Sequence, residues 1–273
     1  AGRDIIWDQN YRYNLEIRNA LESIVTNYSG DTNLEDWGSF MEYTKRVWFS
    51  NGIHHHYSME KFKPSFSKEY FETLLTETNT TLEAKITDVI FNDEDMKRVS
   101  LDGSKDLVLE SATNFYQEDI TAAEVEEFYA TVIDKSDETP VEYGLNSKLV
   151  KSEDGVISEQ VWKVGGMYND AIVEVVKWLE LAKGVAENEA QGKALGFLID
   201  YYQTGDLKKW SEFNITWSQA TEGDVDYIHG FVEVYGDPLG MRGSYEGIIQ
   251  IKDFEASQTA IDMKSPLAWK LAS

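Results

Sequence analysis

Three polar side chains at alternating positions, Glu233, Tyr235 and Asp237, are the residues of this chain best placed to do chemistry. In an extended strand, alternate side chains point to the same face, so these three are predicted to line up together. Carboxylates and a phenol on one face can hold a cationic or amino group. The alternative, which the alternation by itself favours, is a solvated polar face beside a core face.

Two strands joined by a turn would position this cluster. Pro238 and the glycines that follow it predict a turn, and residues 245–252 alternate as a second strand. In that strand Glu246 falls on the face opposite Tyr245. The sequence therefore predicts a polar cluster on adjacent strands, formed by residues between 233 and 246.

Composition limits the classes of function. With 273 residues, of which 42% are hydrophobic, the chain can form one large or two small folded domains. A net charge of −24 argues against nucleic acid and anionic membrane surfaces as partners, because both attract Lys and Arg, and it would favour cationic ligands. The absence of cysteine excludes disulfides and thiolate zinc sites. No apolar run approaches the length of about 18 residues that indicates a membrane span.

The order of elements predicts an α+β fold that is rich in helices. Only four prolines interrupt the chain, and an Asp-Gly dipeptide between two strand-like runs, 146–150 and 156–163, predicts a hairpin. Trp210 and Trp217 are expected in a loop. Apolar periodicity and capping signals predict helices over residues 17–28, 34–49, 65–78, 121–132, 168–182 and 186–202.

An acidic and polar stretch over residues 134–140 is the best candidate for a boundary, although a surface loop fits it equally. We expect a helical N-terminal part over residues 1–135. Residues 136–273 are expected to contain the hairpin, further helices and the β-strands. We expect both parts to belong to one folded lobe. The chain begins Ala-Gly-Arg-Asp without an initiator methionine, so a trimmed or processed chain is expected.

The triplet His54-His55-His56 suggests a metal site at first sight. Metal ligands must converge on one point, whereas adjacent side chains diverge in a helix or strand. A structural role is therefore favoured over metal ligation for these histidines. The zinc-peptidase pattern His-Glu-x-x-His and the Gly-x-Ser-x-Gly nucleophile pattern are both absent from the sequence.

Several segments together resemble the dipeptidyl peptidase III family of zinc-dependent exopeptidases, especially its bacterial members. They follow the family's order along most of the chain, and the most specific is the stretch from 233 to 247. The resembling segments are Trp48-Phe-Ser-Asn-Gly-Ile-His-His-His-Tyr57, Tyr143-Gly-Leu-Asn-Ser-Lys-Leu-Val150, Val161-Trp-Lys-Val-Gly-Gly-Met-Tyr168, Ala186-Glu-Asn-Glu-Ala-Gln-Gly192 and residues 231–247.

The resemblance implies a role for each cleft residue. Glu233 matches the glutamate that holds the free α-amino group of the substrate, and Tyr235 matches the tyrosine that helps to stabilise the transition state. Glu246 matches a residue that assists in placing the peptide. With Asp237 these form the expected set, in which Tyr235 is catalytic, Glu233, Glu246 and Asp237 bind substrate, and no residue binds metal.

The resemblance also places the chain in the lower lobe of a two-lobed enzyme, a lobe that combines helices with a small β-barrel. The family's zinc-binding motifs, His-Glu-x-x-Gly-His and Glu-Glu-x-x-x-Glu, are expected to lie downstream, in the other lobe, and do not occur in this sequence. We therefore expect the peptide-binding portion of a zinc-dependent dipeptidyl peptidase, inactive by itself. Zinc is expected in the full-length enzyme and not in this chain.

The expected partners are an oligopeptide with a free amino terminus and the zinc-bearing lobe of the same protein. Neither nucleic acid nor a membrane is expected to bind, and a cytoplasmic location is what the family implies. The alternative is a non-catalytic peptide-binding or interaction module of the same fold.

Overall fold

A computed structural model describes residues 2–93 and 96–263, which form ten helices and four strands. The α+β fold class is confirmed. The elements in chain order are α1 Gly2–Asn10, α2 Asn14–Asn27, α3 Glu35–Ser50, α4 Lys68–Glu77, α5 Ala84–Phe91, α6 Ala122–Val132, β1 Ser147–Lys151, β2 Ile157–Val161, α7 Asn169–Gly184, α8 Glu189–Thr204, α9 Leu207–Gln219, β3 Val225–Glu233, β4 Ser244–Ile251 and α10 Phe254–Met263.

Local capping fixes several helix starts where the sequence predicts them. The Thr121 hydroxyl accepts from the backbone N–H of Glu124 at 3.2 Å, and the Glu124 carboxylate accepts from the Thr121 N–H at 2.9 Å. This reciprocal pair satisfies two N–H groups that the first turn of α6 leaves unpaired. Asn188 caps α8 in a similar way by accepting from the Gln191 N–H at 2.9 Å.

The segment with two tryptophans was predicted as a loop, and this prediction was wrong. It forms α9, which begins where the Asp206 carboxylate accepts from the Lys208 N–H at 2.8 Å. Trp210 and Phe213 lie three residues apart on one face of the helix, and both are buried. Tertiary burial of these rings, which local sequence does not reveal, stabilises the helix.

The buried side chains form two clusters. The first cluster contains residues from helices α1, α2, α3, α4 and α5 and from the segments between and after them, as far as Ala112. Trp7, Phe40 and Phe71 are among its members. The second takes Ile5 of α1 together with residues between Val108 and Tyr245. Because α1 supplies residues to both clusters, it fixes one against the other. The division of the chain into residues 1–135 and 136–273 stays a prediction.

The four strands form two separate antiparallel pairs, β1 with β2 and β3 with β4. The first is the predicted hairpin, with Leu149 opposite Glu159. Within the described residues the strands do not close into a barrel. None of the helices described is long and apolar enough to span a membrane.

Candidate functional site

A β-bulge decides where Glu233 points. Phe231 lies opposite Tyr245, but Glu233 lies opposite Ser244, so Val232 is an extra residue in β3. In a regular strand Glu233 would share a face with Phe231, which is 0% exposed in the core. The extra residue moves Glu233 to the face of Ser244 and hence of Glu246.

The predicted alternation fails beyond Glu233. The strand ends there, and the Asp237 N–H donates to the Val234 carbonyl at 3.0 Å to form a turn. Glu233, Tyr235 and Asp237 therefore do not line one extended face, because a turn replaces the two-residue period. Tyr235 is 62% exposed, whereas Asp237 is only 4% exposed.

The Asp237 carboxylate organises the turn that follows it. It accepts the backbone N–H groups of Leu239 at 3.1 Å, Met241 at 2.9 Å and Arg242 at 2.8 Å. The Tyr116 hydroxyl also donates to it, with O···O distances of 2.8 and 3.0 Å. With its side chain fully buried, this carboxylate has four donors and no surface facing a ligand.

Arg242 ties the same turn to other elements. Its side chain is 0% exposed, and its Nη1 and Nη2 donate to the hydroxyls of Tyr116 at 2.8 Å and Tyr129 at 2.9 Å. The guanidinium lies 4.3 Å from the centroid of the Tyr116 ring. Tyr129 of α6 in turn donates to Glu159 of β2 at 2.6 Å. The turn between β3 and β4 is thus bonded to α6 and β2.

Helix α1 holds the other side of β4. The Gln9 amide nitrogen donates to the Gly243 carbonyl at 3.2 Å, and its oxygen accepts from the Tyr245 N–H at 2.8 Å. This buried side chain satisfies the strand edge as a neighbouring strand would. At the far end, Glu187 accepts from the N–H groups of Asp224 at 3.0 Å and Val225 at 3.1 Å, which fixes the start of β3.

His229 is half-buried on β3, on the face of the strand pair that carries Tyr245. Its Nδ1 lies 3.0 Å from the Tyr202 hydroxyl and its Nε2 lies 3.0 Å from the Tyr245 hydroxyl. Burial lowers the pKa of His229 to about 4, so the ring is neutral near pH 7. The histidine therefore supports Tyr245, the β4 residue next to Glu246, and does not face the groove.

Glu246 and Tyr235 line an open groove of about 770 Å³. The opposite wall comes from α1, the end of α3, the loop after it and Arg98. The residues lining the groove are Ile6, Asn10, Phe49, Ser50, Asn51, His56, Tyr57, Met59, Arg98, Tyr235, Ser244, Tyr245, Glu246, Gly247 and Ile248.

The carboxylates and the phenol influence one another electrostatically. Burial and, after it, the charge of Glu233 raise the pKa of Glu246 above its ordinary value. Burial and the charges of Glu246 and Glu233 likewise raise the pKa of Tyr235, while Arg98 acts in the opposite direction. Within the described residues neither glutamate forms an ion pair. The site is therefore an acidic pair beside a protonated phenol, and it favours a cation.

The three histidines diverge only in part, since the rings of His55 and His56 stack with their centroids 4.6 Å apart, whereas His54 lies separately. His54 is buried with its Nε2 3.2 Å from the Met96 carbonyl, and burial lowers its pKa to about 3. His55 Nδ1 accepts from the Tyr57 N–H at 3.1 Å, which occupies it locally. His56 alone reaches the groove. Within residues 2–93 and 96–263 no three His, Asp or Glu side chains are grouped so that they could hold a metal ion.

Sequence reasoning missed the second wall of the groove. Asn51 ends α3 in the left-handed conformation, with φ of 52°, and so turns the chain toward the groove. Tyr57 and Arg98 were not considered as site residues. The signal for the loop was present, since residues 48–57 are among the segments that resemble the family. Arg98 carries no such signal.

Comparisons with known proteins agree with one another. Residues 82–266 match the family model described as peptidase family M49. Dipeptidyl peptidase 3 of Dictyostelium discoideum is 24% identical over 262 residues, which are 88% of this chain and 36% of that protein. Dipeptidyl peptidase 3 of Homo sapiens is 34% identical over 86 residues, which are 32% of this chain and 12% of that protein.

Two solved structures share the fold. Dipeptidyl peptidase III from Caldithrix abyssi has a TM-score of 0.59 at 17% identity, and its counterpart from Corallococcus sp. strain EGB has a TM-score of 0.59 at 14% identity. Each similarity covers 95% of this chain and 38% of the other chain. The chain thus spans little more than a third of the length of these relatives.

Proposed function

This chain belongs to peptidase family M49, and from this premise we propose that it is the peptide-binding portion of a dipeptidyl peptidase, which releases dipeptides from the amino end of oligopeptides. The observation that carries the proposal is the bulge at Val232, because it places Glu233 on the same face of the strand pair as Glu246, which lines an open groove together with Tyr235. The alternative of a non-catalytic module is not favoured, since the relatives found by comparison are dipeptidyl peptidases.

Glu233 and Glu246 are the proposed anchor for the amino terminus of the peptide. Two neighbouring carboxylates repel one another, which is why the charge of Glu233 raises the pKa of Glu246. An ammonium group bound between them would relieve this repulsion and form charge-assisted hydrogen bonds. An acetylated terminus carries no such charge and cannot neutralise the pair. The anchor would thereby select the free end of a peptide.

Tyr235 is the proposed donor to the scissile region. Its hydroxyl is protonated at neutral pH, as that of an ordinary tyrosine is, and burial and the charges of Glu246 and Glu233 raise its pKa further. A protonated phenol can donate to a carbonyl oxygen on which negative charge develops. The residue is exposed to the groove, so a peptide anchored at the two glutamates can reach it.

Asp237 is assigned a positioning role in place of direct substrate binding. Its carboxylate accepts three backbone N–H groups and the Tyr116 hydroxyl within the turn. A fully hydrogen-bonded, buried carboxylate does not contact a peptide. Its effect on the peptide would be indirect, because it fixes the turn between Tyr235 and β4.

Zinc is proposed for the full-length protein, where it would polarise the scissile carbonyl and activate water. The residues of this chain do not fit a zinc site, since the described part holds no suitable group of His, Asp and Glu side chains. The zinc-bearing lobe of the same protein is accordingly a proposed partner. A cytoplasmic location is likewise proposed from the family resemblance.

Hydrolysis of a dipeptidyl-naphthylamide tests whether catalysis needs the zinc-bearing lobe in addition to this chain. We expect the full-length protein with zinc to release naphthylamine, and the 273-residue chain with zinc to release none above the chelator-treated blank. Cleavage by the 273-residue chain would show that the chemistry does not need the other lobe. Failure of the full-length protein on a range of such substrates would overturn the proposed activity.

Peptide affinity is expected to depend on pH through Glu246. Its raised pKa means that the carboxyl group takes up a proton at a higher pH than an ordinary glutamate, and the protonated form cannot pair with ammonium. Affinity for a free-amino peptide should therefore be greatest above that pKa and fall as pH drops through it. Affinity should also fall above about pH 8, where the peptide amine loses its proton.

Calorimetric titration of the full-length protein with an uncleaved dipeptide over a pH series measures this profile. In the Glu246→Gln variant, the fall of affinity on the acid side of the profile (the acid limb) should occur at lower pH. In Glu255→Gln, which changes the exposed surface of α10, the acid limb should be unchanged. An acid limb that does not move in the Glu246→Gln variant would remove Glu246 from the anchor.

A further inference from the structure

Arg98 is a buried cation without an anionic partner among the described residues. The residue is only 8% exposed, yet it lines the groove together with Tyr235 and Glu246. Its Nη1 donates to the neutral amide oxygen of Asn10 at 2.8 Å. Its Nε is buried and has no hydrogen-bond partner. Within residues 2–93 and 96–263 no carboxylate lies within 4.0 Å of its guanidinium.

Burial of this charge without an anionic partner is energetically unfavourable unless a ligand supplies the partner. An arginine is almost never buried unless it is paired, because its charge loses the hydration that water provides. Two more exposed arginines of the chain have a carboxylate partner, since Arg12 lies 3.0 Å from Glu118 and Arg46 lies 2.5 Å from Glu42. Arg242 is more deeply buried than Arg98, but two tyrosine hydroxyls and the Asp237 carboxylate surround it.

The backbone holds Arg98 in place at the groove. Its N–H donates to the Met59 carbonyl at 2.8 Å, and its carbonyl accepts from the Thr113 N–H at 3.0 Å. Asn10 in turn lies on α1, the helix that also fixes β4 through Gln9. The guanidinium is therefore preorganised, and little conformational entropy would be lost when a ligand binds to it.

We propose that Arg98 binds a carboxylate of the peptide ligand. The inference rests on the proposed function, in which the two glutamates take the amino end of the same peptide. Glu246 and Arg98 line one groove and both act on Tyr235, so a ligand with an ammonium at one end and a carboxylate further along complements the site. That carboxylate is supplied either by the terminus of a dipeptide product or by an acidic side chain.

Three dipeptide comparisons in the full-length protein separate these sources, with affinity measured by calorimetry. Valyl-phenylalanine against its C-terminal amide tests the terminal carboxylate. Aspartyl-phenylalaninamide against asparaginyl-phenylalaninamide, and phenylalanyl-aspartamide against phenylalanyl-asparaginamide, test a side-chain carboxylate at each position. We expect at least one acid to bind about tenfold more tightly than its neutral partner, as for a hydrogen bond to a charged group. Arg98→Gln should reduce that ratio to about one.

Matched variants keep the comparison clear. Arg46→Gln removes the same charge from an exposed position outside the groove and should leave every ratio unchanged. Arg98→Lys keeps the charge and should retain part of the ratio. Thermal unfolding reports whether Arg98→Gln is folded. If it is not, the wild-type ratios still decide, because the proposal requires a preference for an acid in the wild type.

The outcomes distinguish this proposal from the proposed function. N-acetylated forms of the same dipeptides test the glutamate anchor, and loss of affinity on acetylation supports it independently of Arg98. If acetylation weakens binding but no acid is preferred, or a preference persists in Arg98→Gln, the Arg98 proposal is overturned and the anchor stands. If acetylation has no effect, the anchor fails, and the acid-to-neutral ratios still report on Arg98.

Discussion

Replacing Arg242 with methionine is expected to lower the free energy of unfolding by about 3 kcal/mol, the lower end of the cost of breaking a buried ion pair. The change removes the donors to Tyr116 and Tyr129 and leaves the Asp237 charge buried without its cation. Asp237 keeps its backbone N–H donors, which is why the loss should not be larger. Urea denaturation of wild type and variant gives the difference.

Arg46→Met is the matched control for this prediction. Arg46 also pairs with a carboxylate, that of Glu42, but both side chains are more than half exposed. Exposed pairs contribute little because water and salt screen them, so this variant should unfold close to the wild type. An Arg242→Met variant as stable as Arg46→Met would mean that the buried network does not hold the turn.

The second large effect is expected from Glu233→Gln, which should weaken binding of free-amino peptides by at least about tenfold. The substitution keeps the size of the side chain and its exposed position on the bulged strand, but it removes the negative charge that we propose as the partner of the ammonium group. Competition titrations with a peptide and its acetylated form measure the selectivity for a free terminus. The selectivity, and not only the affinity, should fall.

Two results would count against this role of Glu233. If the affinities for both peptide forms fell equally, Glu233 would be acting on the structure of the groove. If neither changed, another group would hold the amino terminus. Glu255→Gln removes the same charge from the exposed helix α10 and should change neither affinity. Comparison of the two variants separates a local contact from the effect of net charge.

Local signals predicted most of the helices and the first hairpin. The capping box at Thr121 spans four residues, and the apolar stripe of α7 repeats every three or four residues, so a short window of sequence contains each signal. The segment that forms α9 was wrongly predicted as a loop, because the helix is stabilised when Trp210 and Phe213 pack against distant parts of the core. Helix formation there depends on tertiary burial, which short windows do not contain.

The candidate site depends still more on contacts between distant residues. An alternating pattern cannot reveal one extra residue in a strand, yet Val232 decides which face Glu233 occupies. Asp237 looked like a ligand-binding carboxylate by its spacing. Its partner Tyr116 lies 121 residues away in sequence, and their hydrogen bond makes it part of the scaffold.

The sequence by itself determined the class of fold, most helix positions, the acidic character of the site and the family resemblance. These properties depend on residue types and on spacings of a few positions, which the printed chain contains in full. Tertiary structure alone decided that Glu233 joins Glu246, that Asp237 is buried, and that Arg98 faces the same groove. Each of these depends on a strand register or on a contact between segments far apart in the chain, and no local pattern specifies it.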